Sequence, residues 1–320
     1  MFLLALLCSL YMGWSMGAND AANCVGADIG SGVLSLRNGI ILTCFFSFLG
    51  AVFLGGQVIK TIGKGIVPLD SLPCEQGLLI AFAAIFGAAS WVTLATYLKF
   101  PVSTSHAIVG GVAGAGLACH TIIVWGKMKQ IMICWIATPL GSAFLSVLLY
   151  PLIFWFFHLS LLRRIREKLI VVFIYLTSIY LAFTWGGNDV ANATGVLTGT
   201  NQMSSQLAAL IGGFAMMLGV VTWGRRVIET VGFQITHLTP LMTVAAEIAC
   251  SLNVHFYTIW GIPVSTSHSI VGAIFGVGLV AGIKTLNLRL ARDIFVAWVF
   301  TPVGAGLISW LIVKLVLLWR

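Results

Sequence analysis

Long apolar runs separated by short polar stretches dominate the chain. They cover roughly 1–24, 38–56, 76–98, 102–121 and 130–158, then roughly 170–193, 206–223, 240–260, 264–282 and 294–317. A transmembrane helix takes about 20 apolar residues, so the pattern predicts ten helical membrane segments, five on each side of a basic stretch near the middle. Two kinds of polar motif interrupt the runs where a helix should be crossing hydrocarbon, and each kind occurs twice.

The repeats show a duplication. Tyr11–Gly26 reads YMGWSMGANDAANCVG and Tyr180–Gly195 reads YLAFTWGGNDVANATG, an offset of 169 between Asp20 and Asp189. The same offset pairs Val58–Gly63 with Val227–Gly232. Pro101–His106 and Pro263–His268 are both PVSTSH, and Trp135–Pro139 (WIATP) matches Trp298–Pro302 (WVFTP). Matched blocks in one order point to two repeats, residues 1–160 and 170–320, joined by a short linker over 161–169. With an odd number of segments in each, the second copy enters the bilayer from the opposite side. The expected fold is an all-α polytopic membrane protein of two inverted-topology repeats, with broken or re-entrant helices at the centre.

Composition supports this class. The chain is 59% hydrophobic and 8% charged, with a mean hydropathy of +1.04, against about 25% charged residues in a soluble domain. Its net charge of +8 sits in short clusters between apolar runs, which is the distribution of membrane loops and not of a nucleic-acid track. One side collects Arg37, Lys99, Arg163, Arg164, Arg166, Lys168, Arg225, Arg226, Lys284, Arg289 and Arg292, and the other Lys60, Lys64, Lys127, Lys129, Lys314 and Arg320. The richer side is expected to be cytoplasmic. That puts the RRIREK stretch (Arg163–Lys168) inside the cell and both termini outside, in an integral plasma (inner) membrane protein. Met1–Met16 has no basic n-region and runs straight into a repeated motif, so it reads as a mature span and not as a signal peptide. The seven cysteines are odd in number, form no CxxC pair and lie mostly in apolar runs, as free thiols do.

The repeated polar motifs carry the chemistry. An ionised Asp20 or Asp189 within the bilayer is costly and normally faces a wet cavity or a cation; a protonated carboxyl bonded between helices is the plain structural alternative. Asn19, Asp20, Asn23, Asn188, Asp189 and Asn192 supply hard oxygens suited to Na⁺, and the glycines Gly13, Gly17 and Gly26 invite local unwinding that would add backbone carbonyls. PVSTSH reads as a helix start, with Pro101 at the first turn. Ser103, Thr104 and Ser105, like Ser265, Thr266 and Ser267, either cap free N–H groups or present hydroxyls outward, at a helix end whose partial positive charge favours an oxyanion. His106 and His268 are as suited to bonding a neighbouring helix as to meeting substrate. Neither motif holds Lys or Arg, so an entering anion would depend on helix dipoles and on cations held by Asp20 and Asp189.

On these residues the chain resembles the inorganic phosphate transporter (PiT) family of cation-coupled symporters. GANDAANCVG and GGNDVANATG are similar to the duplicated family signature, and the PVSTSH segments to its PVSTTH elements. WGRRVIETVG (Trp223–Gly232) and the AEIA stretch around Glu247 also match. The resemblance implies phosphate import driven by Na⁺, favoured here over H⁺, with no organic cofactor, no enzymatic activity and a homodimeric assembly. It adds Glu247 to the cation-binding candidates and assigns phosphate to the two hydroxyl cradles. Ser105 and Ser267 replace a family Thr, Ser47 stands where many eukaryotic relatives carry Glu, and the large central loop of those relatives is reduced to RRIREK, as in a compact microbial form.

Three other functions compete. Symport of sulfate or another tetrahedral oxyanion is disfavoured by retention of both aspartates. A passive anion channel would not place fixed carboxylates in its lining. An intramembrane hydrolase built on Ser103, Ser105 and His106 would need an oriented nucleophile–base pair.

Overall fold

A computed structural model describes residues 1–98, 102–158, 163–225, 228, 238–282 and 288–319. Lys99, Pro101, Arg226, most of the Val227–Gly232 repeat block, Lys284 and Arg320 lie outside the described residues.

Among the described residues there are eleven α-helices and no strand. They are α1 (Phe2–Gly30), α2 (Leu36–Leu54), α3 (Gly56–Lys64), α4 (Cys74–Tyr97), α5 (Thr104–Ala118), α6 (Trp125–His158), α7 (Arg163–Gly199), α8 (Ser205–Gly219), α9 (Pro240–Ile259), α10 (Thr266–Ala281) and α11 (Leu288–Leu318). Each of the ten expected segments is a helix, and the short α3 is an addition. The basic stretch from Arg163 onward forms the first turns of α7. Among the described residues, seven helices are long and apolar enough to cross a membrane, α8 as far as Gly224, whereas α5, with 15 residues, extends only about 22 Å and is too short for a hydrocarbon layer of about 30 Å.

Helix ends follow local chemistry. Ser35, Ser204 and Thr239 cap α2, α8 and α9 by accepting the N–H of the third residue on. After α9 the chain reverses at Gly261, whose φ of +65° suits a residue without a Cβ. Pro263 then keeps the chain out of helix until Ser265 caps α10. The polarity of the bundle is that of a membrane protein. Leu140, Phe144, Trp155, Phe300, Leu307 and Leu315 lie on its outside, while Asp20, Asp189 and Glu247 are 1–2% exposed in its interior.

The halves interlock. A Cβ on Gly110 would collide with the Pro302 carbonyl, and one on Gly272 with the Pro139 carbonyl. Thus α5 of the first half lies against α11 of the second, and α10 of the second against α6 of the first.

Candidate functional site

α1 and α7 carry the two acidic motifs through the protein interior without a break. The expected unwinding beside Gly13, Gly17 and Gly26 does not occur. Gly17 is needed for packing, because a Cβ there would enter the Met216 backbone; Gly186 likewise lies against the Ser47 carbonyl. The backbone carbonyls of both motifs therefore remain in the helical ladder, and the oxygens available to a cation here are those of side chains. The breaks fall instead between α4 and α5 and between α9 and α10, at the two hydroxyl motifs.

Those motifs begin alike. Ser103 accepts the His106 N–H and Ser265 accepts the His268 N–H, both at 3.2 Å, so the first serine of each triplet is the N-cap. The next two residues face the acidic motifs. Thr104 donates to Asp20 Oδ2 at 3.0 Å and Thr266 to Asp189 Oδ2 at 3.4 Å, each within its own half. The amides cross over. Asn23 donates to Ser267 at 2.8 Å, and Asn192 to Ser105 at 3.0 Å and Thr104 at 3.4 Å. Asn19 and Asn188 stand further back, bonded to Thr96 and Thr258 respectively, 2.7 Å and 2.8 Å away.

The two carboxylates are unequal. Asp20 Oδ1 also accepts from Ser267 and Asn23, both at 3.3 Å. Asp189 Oδ1 and Asn192 Oδ1 are buried acceptors with no hydrogen bond of good geometry among the described residues, although the Trp185 indole lies close to the Asp189 carboxyl. Ser105 donates to the Val264 carbonyl at 2.8 Å, tying one cradle to the backbone just before the other. Asn23, Asn192, Thr104, Ser105, Thr266 and Ser267 thus gather around the Asp20 and Asp189 carboxyls with no basic side chain among them, with Ser103 and Ser265 as caps and Asn19 and Asn188 behind.

Glu247 lies in a different cluster. Thr177 donates to Glu247 Oε2 at 2.5 Å and its neighbour Ser178 to Asp28 Oδ2 at 2.7 Å, and the Asp28 and Glu247 carboxyls lie within hydrogen-bonding reach of each other. Asp28 sits two turns beyond Asp20 on the same face of α1, about 12 Å along its axis. It is absent from the sequence candidates because it has no repeat partner: Leu197 occupies the matching position. The hydrolase reading fails on geometry. His106 Nδ1 faces the Trp298 carbonyl, while Ser105 is committed to Val264, so neither serine of that motif has an imidazole as base.

A helical membrane bundle that buries paired carboxylates and paired hydroxyl-bearing helix starts has the features of a transport protein. The chain belongs to the phosphate transporter family, whose sequence pattern matches residues 16–309. It is 32% identical to a Chlamydia pneumoniae protein named "Putative phosphate permease", over 95% of this chain and 96% of that one. It is 28% identical to the Arabidopsis thaliana chloroplastic inorganic phosphate transporter 2-1, over 97% of this chain and 72% of the relative. Its fold is similar to that of a solved sodium-dependent phosphate transporter, with a TM-score of 0.89 at 27% identity, covering 100% of this chain and 99% of the other.

Proposed function

We propose that this phosphate transporter is a symporter that imports inorganic phosphate with a cation, Na⁺ in preference to H⁺. One observation carries the reading: the hydroxyls suited to phosphate, those of Thr104 and Ser267, donate to the Asp20 carboxylate. Phosphate cannot use these donors while an uncompensated carboxylate holds them, since the two anions repel. A cation drawn to Asp20 and Asp189 removes the repulsion and releases the hydroxyls, so that each solute favours binding of the other. The unpaired Asp189 Oδ1 and Asn192 Oδ1 support a hard cation with oxygen ligands. They also support phosphate over sulfate, because a protonated phosphate can donate to a carboxylate and sulfate cannot.

In this reading Asn19, Asp20, Asn23, Asn188, Asp189 and Asn192 serve the cation, and Ser103–Ser105 with Ser265–Ser267 serve phosphate. Glu247 acts from its own cluster with Asp28. The repeats are inverted in a plasma (inner) membrane, with the 161–169 linker cytoplasmic and both termini outside, and two copies form a homodimer. Uptake of labelled phosphate into proteoliposomes, with Na⁺ and proton gradients imposed separately and sulfate as competitor, tests the coupling. Sodium-driven, sulfate-resistant uptake is expected; uptake indifferent to both gradients would refute symport. Cysteine labelling from each face tests the topology, and a cytoplasmic N-terminus would sink it.

A further inference from the structure

Pro139 and Pro302 each remove one rung from a membrane helix. Proline has no N–H, so the carbonyl four residues back, Trp135 in α6 and Trp298 in α11, loses its helical donor. In lipid such a carbonyl must find another donor. At Trp298 that donor is His106, whose Nδ1 lies 3.3 Å from the carbonyl oxygen. A carbonyl only accepts, so Nδ1 carries the proton and Nε2 is a bare lone pair, with no partner among the described residues. In the other half the His268 ring lies beside the Trp135 backbone, but neither of its ring nitrogens makes a hydrogen bond among the described residues.

The rings interlock around these contacts. His268 stacks on the Trp298 indole with centroids 3.5 Å apart, and His106 packs on Trp135 at 3.7 Å. The two imidazoles meet edge to face at 4.3 Å. Each histidine directly follows the hydroxyl triplet of its own cradle. Gly110 and Gly272, one turn further along, let α5 and α10 approach the same two prolines.

We propose that His106 is a positioning residue that latches its anion cradle to the carbonyl opened by Pro302 in the last helix of the opposite half, with His268 packed against the latch. The latch fixes how far apart the two hydroxyl triplets stand. Because the two imidazoles touch, His268 and the latch act as one unit. This inference rests on the reading that the cradles bind phosphate.

The test pairs phosphate uptake in proteoliposomes with thermal unfolding in detergent. His106→Ala should raise the phosphate KM about tenfold with a maximal rate within about twofold of the parent, and lower the unfolding temperature. Adding Pro302→Ala gives residue 302 an N–H for the Trp298 carbonyl, so H106A/P302A should regain the lost unfolding temperature without regaining the KM. His106→Asn, which keeps a donor at the Nδ1 position, should stay within about threefold of the parent KM, whereas His106→Gln, whose donor lies one carbon further out, should resemble H106A. H106A/H268A should be no worse than either single variant by more than about twofold. A parental KM in both H106A and H106Q, or stability losses of H106A and P302A that simply add, would overturn the latch. If H106A does not fold, the N-against-Q comparison decides alone, with equal KM values counting against the proposal. If the parent takes up no phosphate, the functional reading fails instead, and rescue of H106A stability by P302A still tests the latch.

Discussion

The Asn192 amide donates to the Ser105 hydroxyl at 3.0 Å, joining α7 of the second half to the first turn of α5 in the first. Its repeat counterpart, Asn23, donates to Ser267 at 2.8 Å. Each half therefore supplies the donor that orients the other half's cradle, and neither half alone holds a complete site. Asn192→Ala should raise the phosphate KM about fivefold, corresponding to loss of a neutral hydrogen bond of about 1 kcal/mol. Asn19→Ala, which removes a bond to Thr96 on the cation side of the site, should lower stability and weaken the cation dependence while changing the phosphate KM less than Asn192→Ala. Uptake kinetics and unfolding curves of the two variants separate these roles; a KM change of equal size in both would not fit.

The inequality of the two carboxylates makes a second prediction. Asp20 accepts from Thr104, Ser267 and Asn23, whereas among the described residues Asp189 accepts only from Thr266 at 3.4 Å with good geometry, the Trp185 indole lying nearby and Oδ1 otherwise unbonded. Asp189 is thus the better-placed first ligand for the cation. A cation at a hundred times its Kd adds about 2.7 kcal/mol to stability, visible as a sodium-dependent rise in unfolding temperature. Asp189→Asn should abolish that rise and Asp20→Asn should retain part of it, while both lose coupled uptake. A full sodium shift in the Asp189→Asn protein would exclude this order of binding.

The sequence made the duplication legible because the motifs are polar residues set in apolar runs, where chance rarely places them. It also singled out the twelve repeated candidate residues, since the matched positions of Asp20 and Asp189 or of Ser105 and Ser267 require no coordinates. Two features were hidden. Gly13 and Gly17 permit either unwinding or close packing, and the choice depends on Ala215 and the Met216 backbone of α8, about 200 residues away in the chain. Asp28 has no second copy, so only the approach of α1 to α7 and α9 reveals its pairing with Glu247. The link between His106 and Trp298 is of the same kind: WVFTP and PVSTSH are both visible as repeats, but their contact joins α5 to α11 across the two halves.

Glycine packing supplies a third prediction. At Gly110 a methyl group would strike the Pro302 carbonyl, which is fixed within α11 and cannot swing aside as a flexible side chain could. Gly110→Ala should cost about 1–3 kcal/mol of stability, the usual penalty for overpacking. Gly126, in the first turn of α6, has nothing within 4 Å of the added atom. Gly126→Ala should be neutral or stabilising by up to about 1 kcal/mol through helix propensity. Unfolding of both proteins in the same detergent checks the contrast, and equal losses would contradict the close approach of α5 to α11.

The Asp28–Glu247 cluster yields the last prediction, because charge and hydrogen bonding can be removed there separately. Glu247→Gln keeps an oxygen to accept from Thr177 and gains an amide that can donate to Asp28, so every polar group in the cluster retains a partner. Glu247→Leu leaves the Thr177 hydroxyl without this acceptor and Asp28 without its carboxyl neighbour, among residues that are 0–5% exposed. An unsatisfied buried group costs about 1–3 kcal/mol, and more when it is charged. The Leu variant should therefore unfold well below the parent, while the Gln variant stays close to it. If Glu247 takes part in transport from this separate cluster, the Gln protein will also show reduced phosphate uptake while keeping the sodium-dependent stabilisation attributed to Asp189. Loss of that stabilisation in Glu247→Gln would mean that the two acidic clusters share one cation, and the separation drawn between them would fail.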